Sequence, residues 1–136
     1  MNILNKTAVI NKSEYDLISR KATGFIYQEI EGGITAVLNV LPRSAVMHRA
    51  LQFQEFILEL IENGKKKIII DLSSCDYIDI SFLGTMVIAQ KRLYSVGGIL
   101  AIVIPPHNNI PALKSTDIKK IFRIYKNLTE AITNME

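Results

Sequence analysis

Residues 67–84, which read KIIIDLSSCDYIDISFLG, decide the fold. Three consecutive isoleucines, Ile68-Ile69-Ile70, are typical of a strand covered by helices on both faces, or on one face with strands beside it. Asp79 and Ser81 are residue types that often cap a helix, so a helix is predicted from about Ser81. The polar run between the isoleucine strand and this helix joins the carboxyl end of a buried strand to the amino end of a helix. In open α/β sheets, ligands and partners bind at this edge.

The segment before this stretch predicts a β-hairpin followed by a helix. Two extended runs within residues 22–40 flank Gly32-Gly33, and two glycines favour a tight antiparallel turn. A helix is predicted over residues 44–63, with Ser44 as the N-cap and Asn63-Gly64 as the stop. Its apolar residues recur at steps of three and four and predict one buried stripe. They are Val46, Ala50, Phe53, Ile57, Leu60 and Ile61.

The segment after this stretch continues the alternation of helices and strands. A helix over residues 81–96 should end at Gly97-Gly98, with Leu83, Met86, Val87, Leu93 and Tyr94 on its inner side. A buried strand over residues 99–104, helical pieces over 110–122, a short strand over 123–125 and a final helix over 128–135 complete the pattern. Right-handed crossovers then give one α/β domain with a largely parallel sheet of four to five strands. Phe53, Ile57, Ile69, Val87 and Ile102 should be buried.

Composition limits the class of protein. A hydrophobic fraction of 49% with a net charge of +3 argues against disorder. Residues 1–21 lack a sustained pattern and are predicted to be an N-terminal extension to a domain over residues 22–136. The lone Cys75 fits a reducing compartment. Apolar runs fall short of the about 18 to 20 residues of a membrane span, and residues 1–20 lack a secretory apolar region. The protein is therefore expected to be cytoplasmic, without membrane insertion.

Basic residues cluster near Lys65 and again near the end of the chain. Such patches attract nucleic acid, anionic membranes or acidic partners. Aromatic residues do not interleave with these lysines, so a solvated face with cations near helix C-termini is preferred and nucleic-acid binding is not expected. The later cluster comprises Lys114, Lys119, Lys120, Arg123 and Lys126.

Catalytic and metal-binding templates do not match. His48 and His107 are far apart in the sequence, and no metal-ligand, nucleotide-loop or nucleophile-elbow motif occurs. The three aspartates Asp71, Asp76 and Asp79 could suggest a magnesium site or a phosphoacceptor receiver domain. The opening hairpin argues against a receiver, which begins with a parallel βα unit. We therefore expect that the protein is not an enzyme and that it binds neither a metal nor a cofactor.

The same stretch resembles the STAS family, whose founding members are anti-sigma factor antagonists. Residues 68–73 are similar to the family's strand ending in D-L-S, and Asp79-Ile80-Ser81-Phe82-Leu83-Gly84 is similar to its D-S-S-G-L-G motif. Lys91-Arg92-Leu93 with Gly97-Gly98-Ile99-Leu100, and residues 118–131, resemble the later segments of the family. The resemblance covers residues 22–135 and agrees with the order of elements above.

The resemblance implies a partner switch. Family members bind a serine kinase of the GHKL type that otherwise sequesters a sigma factor; phosphorylation of a serine at this helix N-terminus releases the complex, and a serine phosphatase resets it. By this resemblance, Asp79, Ile80, Ser81, Phe82, Leu83 and Gly84 are the expected partner-binding residues, and Ser81 is the candidate phosphoacceptor. ATP and magnesium would belong to the kinase.

Two departures from the family pattern leave an alternative open. Ile80 occupies the usual phosphoacceptor position, with Ser81 beside it and Phe82 in place of a glycine. Residues 40–43 read Val-Leu-Pro-Arg where the family commonly has a glycine-acidic stretch. Ser81 could instead be a plain N-cap serine. The chain would then be a subunit or scaffold of a larger assembly, such as a transporter or signalling complex, without phosphorylation.

Overall fold

A mixed five-stranded sheet is the centre of the molecule. The structure is a computed structural model that describes residues 24–43, 45–108, 110–114 and 116–135. The strands lie in the order β1 to β5, and β1 pairs antiparallel with β2 while the other neighbours pair in parallel. The predicted sheet opened by a hairpin is thereby confirmed. The strands are β1 (Phe25–Ile30), β2 (Thr35–Val40), β3 (Lys67–Asp71), β4 (Ile99–Val103) and β5 (Arg123–Tyr125).

Four α-helices connect or follow these strands in the described residues, and their bounds lie close to those predicted. The first long helix begins at Met47, after an N-cap at Val46 that makes no side-chain bond, while Ser44 lies outside the described residues. It ends as predicted, with Asn63 at the C-cap and Gly64 at φ +93°. The helices are α1 (Met47–Glu62), α2 (Ile80–Ser95), α3 (Thr116–Ile121) and α4 (Leu128–Asn134).

Both faces of the sheet are covered, which is the first of the two arrangements that the isoleucine run predicts. Ile68 and Ile70 belong to the larger core beneath α1 and α2. Ile69 points to the other face, where it joins a smaller cluster with Ala131 of α4 and Met135. Because successive side chains of a strand alternate between faces, a strand buried on both sides needs an uninterrupted apolar run.

Most of the predicted core is confirmed. Phe53, Ile57, Ile69 and Ile102 are buried, whereas Val87 is only partly buried. The placement of Tyr94 on the inner side of α2 is wrong, since its side chain is 75% exposed. The proposed boundary between residues 1–21 and 22–136 lies outside the described residues. In the described part of the chain, no helix combines the length and apolarity needed to span a membrane.

Candidate functional site at the amino end of helix α2

The loop after β3 is shaped by the carboxylate of Asp71, which is 6% exposed. This carboxylate accepts a hydrogen bond from the Ser73 backbone N–H at 2.9 Å and another from the Ser73 hydroxyl. The Asn39 side-chain amide of the neighbouring strand also donates to it, at 3.3 Å. An aspartate that binds the backbone two residues on forms a local turn. Asp71 therefore directs the chain away from the sheet edge and has a structural role.

Asn108, which sequence reasoning missed, holds the same loop from the opposite side. Its side-chain amide donates to the carbonyl oxygens of Ser73 at 3.1 Å and of Cys75 at 2.9 Å. Asn108 follows β4, and the carboxyl ends of neighbouring parallel strands meet at one edge of the sheet. The signal available in the sequence was a polar residue in the loop after β4, and such a residue is too common in loops to identify this contact.

Cys75 points inward from this loop and is inert as a nucleophile. Its side chain is 2% exposed, and Sγ lies 3.6 Å from the carbonyl oxygen of Val40. Burial, followed by the charges of Asp76 and Asp71, raises the pKa of the thiol to about 11. Since the thiolate is the reactive form, almost none is present near neutral pH.

The amino end of α2 is fixed by Asp79. Its carboxylate accepts a hydrogen bond from the Phe82 backbone N–H at 3.0 Å, which satisfies one of the unpaired donors of the first turn. The Asp79 backbone N–H donates to the Ala45 carbonyl oxygen at 3.1 Å, so this turn is joined to the segment that precedes α1. Of the two predicted capping residues, Asp79 is the N-cap, and Ser81 lies in the first turn of the helix.

The outward side of α2 carries an apolar stripe. Ile80, Gly84 and Ile88 follow one another at steps of four residues and are exposed, Ile80 to 80% and Ile88 to 47%. Tyr77, just before the helix, is 56% exposed. Ile80 and Gly84 belong to the family motif, whereas Tyr77 and Ile88 lie outside it and could not be selected from the motif alone. The signal available in the sequence was an apolar side chain at a position outside the predicted inner side of the helix.

Leu51 of α1 extends this stripe. The Thr85 hydroxyl oxygen lies 3.4 Å from the Ala50 carbonyl oxygen, so this turn of α1 is against α2. Phe56, on the nearly opposite flank of α1, packs on the ring of Phe25 in the edge strand. Leu51 therefore lies on the flank next to α2, and it is 64% exposed. Together these residues form what we call the α2 surface: Leu51, Tyr77, Ile80, Ser81, Gly84 and Ile88.

The comparisons with known proteins agree with this geometry. The family model of the STAS domain matches residues 41–131. The chain belongs to the STAS domain family. It is 28% identical over 113 residues to a protein of Thermotoga neapolitana provisionally named an anti-sigma factor antagonist, covering 82% of this chain and 97% of the relative.

Two solved structures share the fold of this chain. A crystal structure from Thermotoga maritima, also provisionally named an anti-sigma factor antagonist, has a TM-score of 0.69 at 26% identity and covers 82% of this chain and 93% of its own. The Bacillus cell fate determinant SpoIIAA in its phosphorylated form has a TM-score of 0.61 at 17% identity, covering 82% and 99%. At that identity the second likeness concerns the fold alone.

The six STAS motif residues divide between surface and core. Ile80 and Gly84 are exposed, and Ser81 and Asp79 are partly exposed. Phe82 and Leu83, expected at the partner surface, are instead 1% and 8% exposed and belong to the core. The structure thus brings four of the six to the surface and places the other two beneath it.

The three aspartates of the loop do not converge. Asp71 is directed into its own turn, Asp79 caps the helix, and Asp76 is exposed. Among the residues that the structure describes, no group of three or more acidic, histidine or cysteine side chains could hold a metal ion.

Proposed function

We propose that this STAS domain is a partner-switching protein that docks onto a protein partner through the α2 surface. The proposed partner is a GHKL-type serine kinase that acts as an anti-sigma factor, and phosphorylation of Ser81 would release it. A serine phosphatase would restore the binding form. Relatives provisionally named anti-sigma factor antagonists support this proposal, as does a shared fold with a protein that occurs in a phosphorylated form.

The observation that carries the proposal is the exposure of Ile80. This side chain is 80% exposed at the first residue of α2, where it is flanked by Tyr77 and followed by Gly84 and Ile88. Burying one such aliphatic side chain stabilises a complex by about 1.5 to 3 kcal/mol. A contiguous exposed apolar patch is typical of a protein-interaction site.

Ser81 is suited to regulate such a contact. It lies in the first turn of α2, two residues after the Asp79 cap, and its side chain is partly exposed. A phosphate would add about −1.5 to −2 charges inside the docking surface, where desolvation and the Asp79 carboxylate both oppose it. The helix N-terminus stabilises negative charge by only about 0.3 to 1 kcal/mol. The modified protein should therefore stay folded but lose affinity for its partner.

The test uses capture followed by calorimetry. Wild-type protein, Ile80→Ser and Ile34→Ser are used as baits. Ile34→Ser is the control, because Ile34 is an exposed isoleucine (54%) at the amino end of β2, whereas α2 begins beyond the carboxyl end of β3. The partner should be retained by wild type and Ile34→Ser but not by Ile80→Ser. With the purified partner, Ser81→Asp should weaken binding while Ser81→Ala should not, and incubation with the kinase and ATP should place phosphate on Ser81. Equal loss from both isoleucine variants would reject the α2 surface.

A constitutive subunit is the second candidate, because Ile80 occupies the position where the family usually carries the phosphoacceptor. In that case the α2 surface is a permanent apolar contact within a transporter or signalling scaffold. Ser81→Asp and wild type should then bind with equal affinity, while Ile80→Ser still abolishes binding. Phe82 is also a motif residue, but it is buried, so its substitution would change folding as well as binding. Ile80 is therefore the better residue for this comparison.

We also propose that the domain itself is not catalytic and needs no cofactor. The thiol of Cys75 is buried and its pKa is raised to about 11, so it is not a reactive nucleophile near neutral pH, and ATP and magnesium would be bound by the kinase. Purified protein should hydrolyse neither nucleotides nor generic esters above background. Turnover that is lost in Asp79→Ala or Ser81→Ala would contradict this expectation.

A further inference from the structure

A cleft at the other end of α2 is not used by the proposed function. It has a volume of about 700 Å³ and lies between the last turns of α2 and α3. Leu100 and Phe122 line it and are buried, while Tyr94 and Ile121 line it and are 75% and 36% exposed. The cleft thus combines an apolar floor with an accessible aromatic side chain, in the volume range of small-molecule sites.

The charges that line the cleft have one sign. Lys119, Lys120 and Arg123 are exposed lining residues, and none of the described residues that form the cleft has an acidic side chain. The C-termini of α2 and α3 each contribute at most about half a negative charge, because of the helix dipole. The three cations carry about two more positive charges than the two helix C-termini can neutralise. Neutralisation of the helix ends therefore does not account for all three cations.

Gln90 gives an independent indication of a ligand. Its side chain lines the cleft from α2, and its Oε1 atom is buried without a hydrogen-bond partner in the described part of the molecule. Buried polar atoms are nearly always paired in native structures, because an unpaired one is costly. A ligand with an N–H or O–H group would supply the missing donor.

We infer that this cleft binds an amphipathic organic anion of small-molecule size. Its phosphate, sulfonate or carboxylate group is held by Lys119, Lys120 and Arg123, its apolar or aromatic part packs between Tyr94 and Phe122, and a donor group reaches Gln90. The concave shape and apolar floor favour such a ligand over an extended nucleic acid or a flat membrane surface. The site would make this STAS domain responsive to a small molecule, independently of the α2 surface.

Fluorescence titration with anilinonaphthalene sulfonate tests the inference. This probe has an aromatic body, one anionic group and an N–H donor, while phenylnaphthylamine has the same body and donor without the charge. The sulfonate should bind at one saturable site, at least about tenfold more tightly than the uncharged analogue. Lys119→Gln with Arg123→Gln should raise its Kd about tenfold or more, and Gln90→Leu should raise it about threefold or more. Lys91→Gln, an exposed lysine of α2 outside the cleft, is the matched control and should leave Kd unchanged.

Competition identifies the class of anion and supplies the contrary outcomes. Displacement of the probe by hexyl phosphate or by decanoate assigns the ligand to phosphates or carboxylates. Equal affinity for the charged and uncharged probes, or equal effects of Lys91→Gln and the double variant, overturns the inference. So does probe binding that is absent while the protein still co-sediments with anionic vesicles or nucleic acid, since the cations would then serve a macromolecular surface. Circular dichroism of each variant excludes loss of folding as the cause.

Discussion

Phe82 and Ile80 are two residues apart in the STAS motif, and the structure gives them opposite roles. Phe82 is 1% exposed, and its ring centroid lies 4.4 Å from that of Phe53 on α1. Phe82→Ala removes a buried ring and should lower the free energy of unfolding by about 3 to 5 kcal/mol. In a domain of this size the melting temperature should fall by about 10 to 25 °C. Ile80→Ala removes an 80% exposed side chain, so stability should change by no more than about 0.5 kcal/mol.

Urea unfolding followed by circular dichroism measures both free energies. Phe82→Leu, which keeps most of the apolar volume, should remain folded and bind the partner as wild type does, even if Phe82→Ala unfolds. Ile80→Ala should retain the wild-type unfolding curve and lose affinity for the partner. A loss below about 1 kcal/mol for Phe82→Ala, or above about 2 kcal/mol for Ile80→Ala, would mean that α2 is rotated relative to the sheet. That result would refute both the described packing of α2 on the core and the assignment of the α2 surface as the docking site.

Four further predictions concern α2, the residues at its two ends and the loop before it. Asp79→Ala should lower the free energy of unfolding by about 0.5 to 2 kcal/mol and Asp79→Asn by less, as urea unfolding can show, because asparagine still caps the helix. Gly98→Ala should be destabilising by about 1 to 3 kcal/mol, since an added Cβ would lie 2.7 Å from the Lys66 backbone oxygen. Gly84→Ala, a helical position with nothing within 4 Å, should instead stabilise by about 0.5 to 1 kcal/mol in the same assay. Stability should also fall as the pH rises from 9 to 11, because the unfolded thiol of Cys75 ionises near 9.0 whereas the folded one has a pKa of about 11. Denaturation of wild type and Cys75→Ala across this range should show a steeper decline for wild type, and equal slopes would contradict the buried thiol.

Local signals accounted for most of the fold. Gly32-Gly33 between two extended runs predicted the hairpin, and both glycines adopt positive φ, +71° and +88°. The isoleucine run predicted a buried strand covered on both faces, or on one face with strands beside it, and Ile69 and its neighbours show that both faces are covered. Even the three-residue strand Arg123–Tyr125 was predicted with its bounds. Such features depend on backbone preference and on the alternation of side chains, and both are present in the local sequence.

Contacts between distant segments were not predictable in this way. Asn108 holds the loop at Ser73 from 35 residues away, and its amide is unremarkable in a polar loop. The cleft between α2 and α3 is another example, because it depends on how closely a six-residue helix approaches Tyr94. The sequence indicated the basic residues Lys119 and Lys120 but not the concave surface that they border.

The outer face of α2 was not interpreted from periodicity, and the reason bears on function. Its first half is apolar around most of its circumference: Phe82 and Met86 face the core, while Ile80 and Ile88 face outward. A helix that is apolar on all sides is normally buried on all sides. Periodicity predicted the inner face of α2 correctly at Leu83, Met86 and Leu93, which are buried, but it did not account for the exposed isoleucines on the outer face. The sheet and α1 cover one side. The other side has the composition of a buried surface, but no element among the described residues covers it, and a docked partner protein would complete the burial. The exposed isoleucines that periodicity left unexplained and the proposed docking role therefore have the same physical origin.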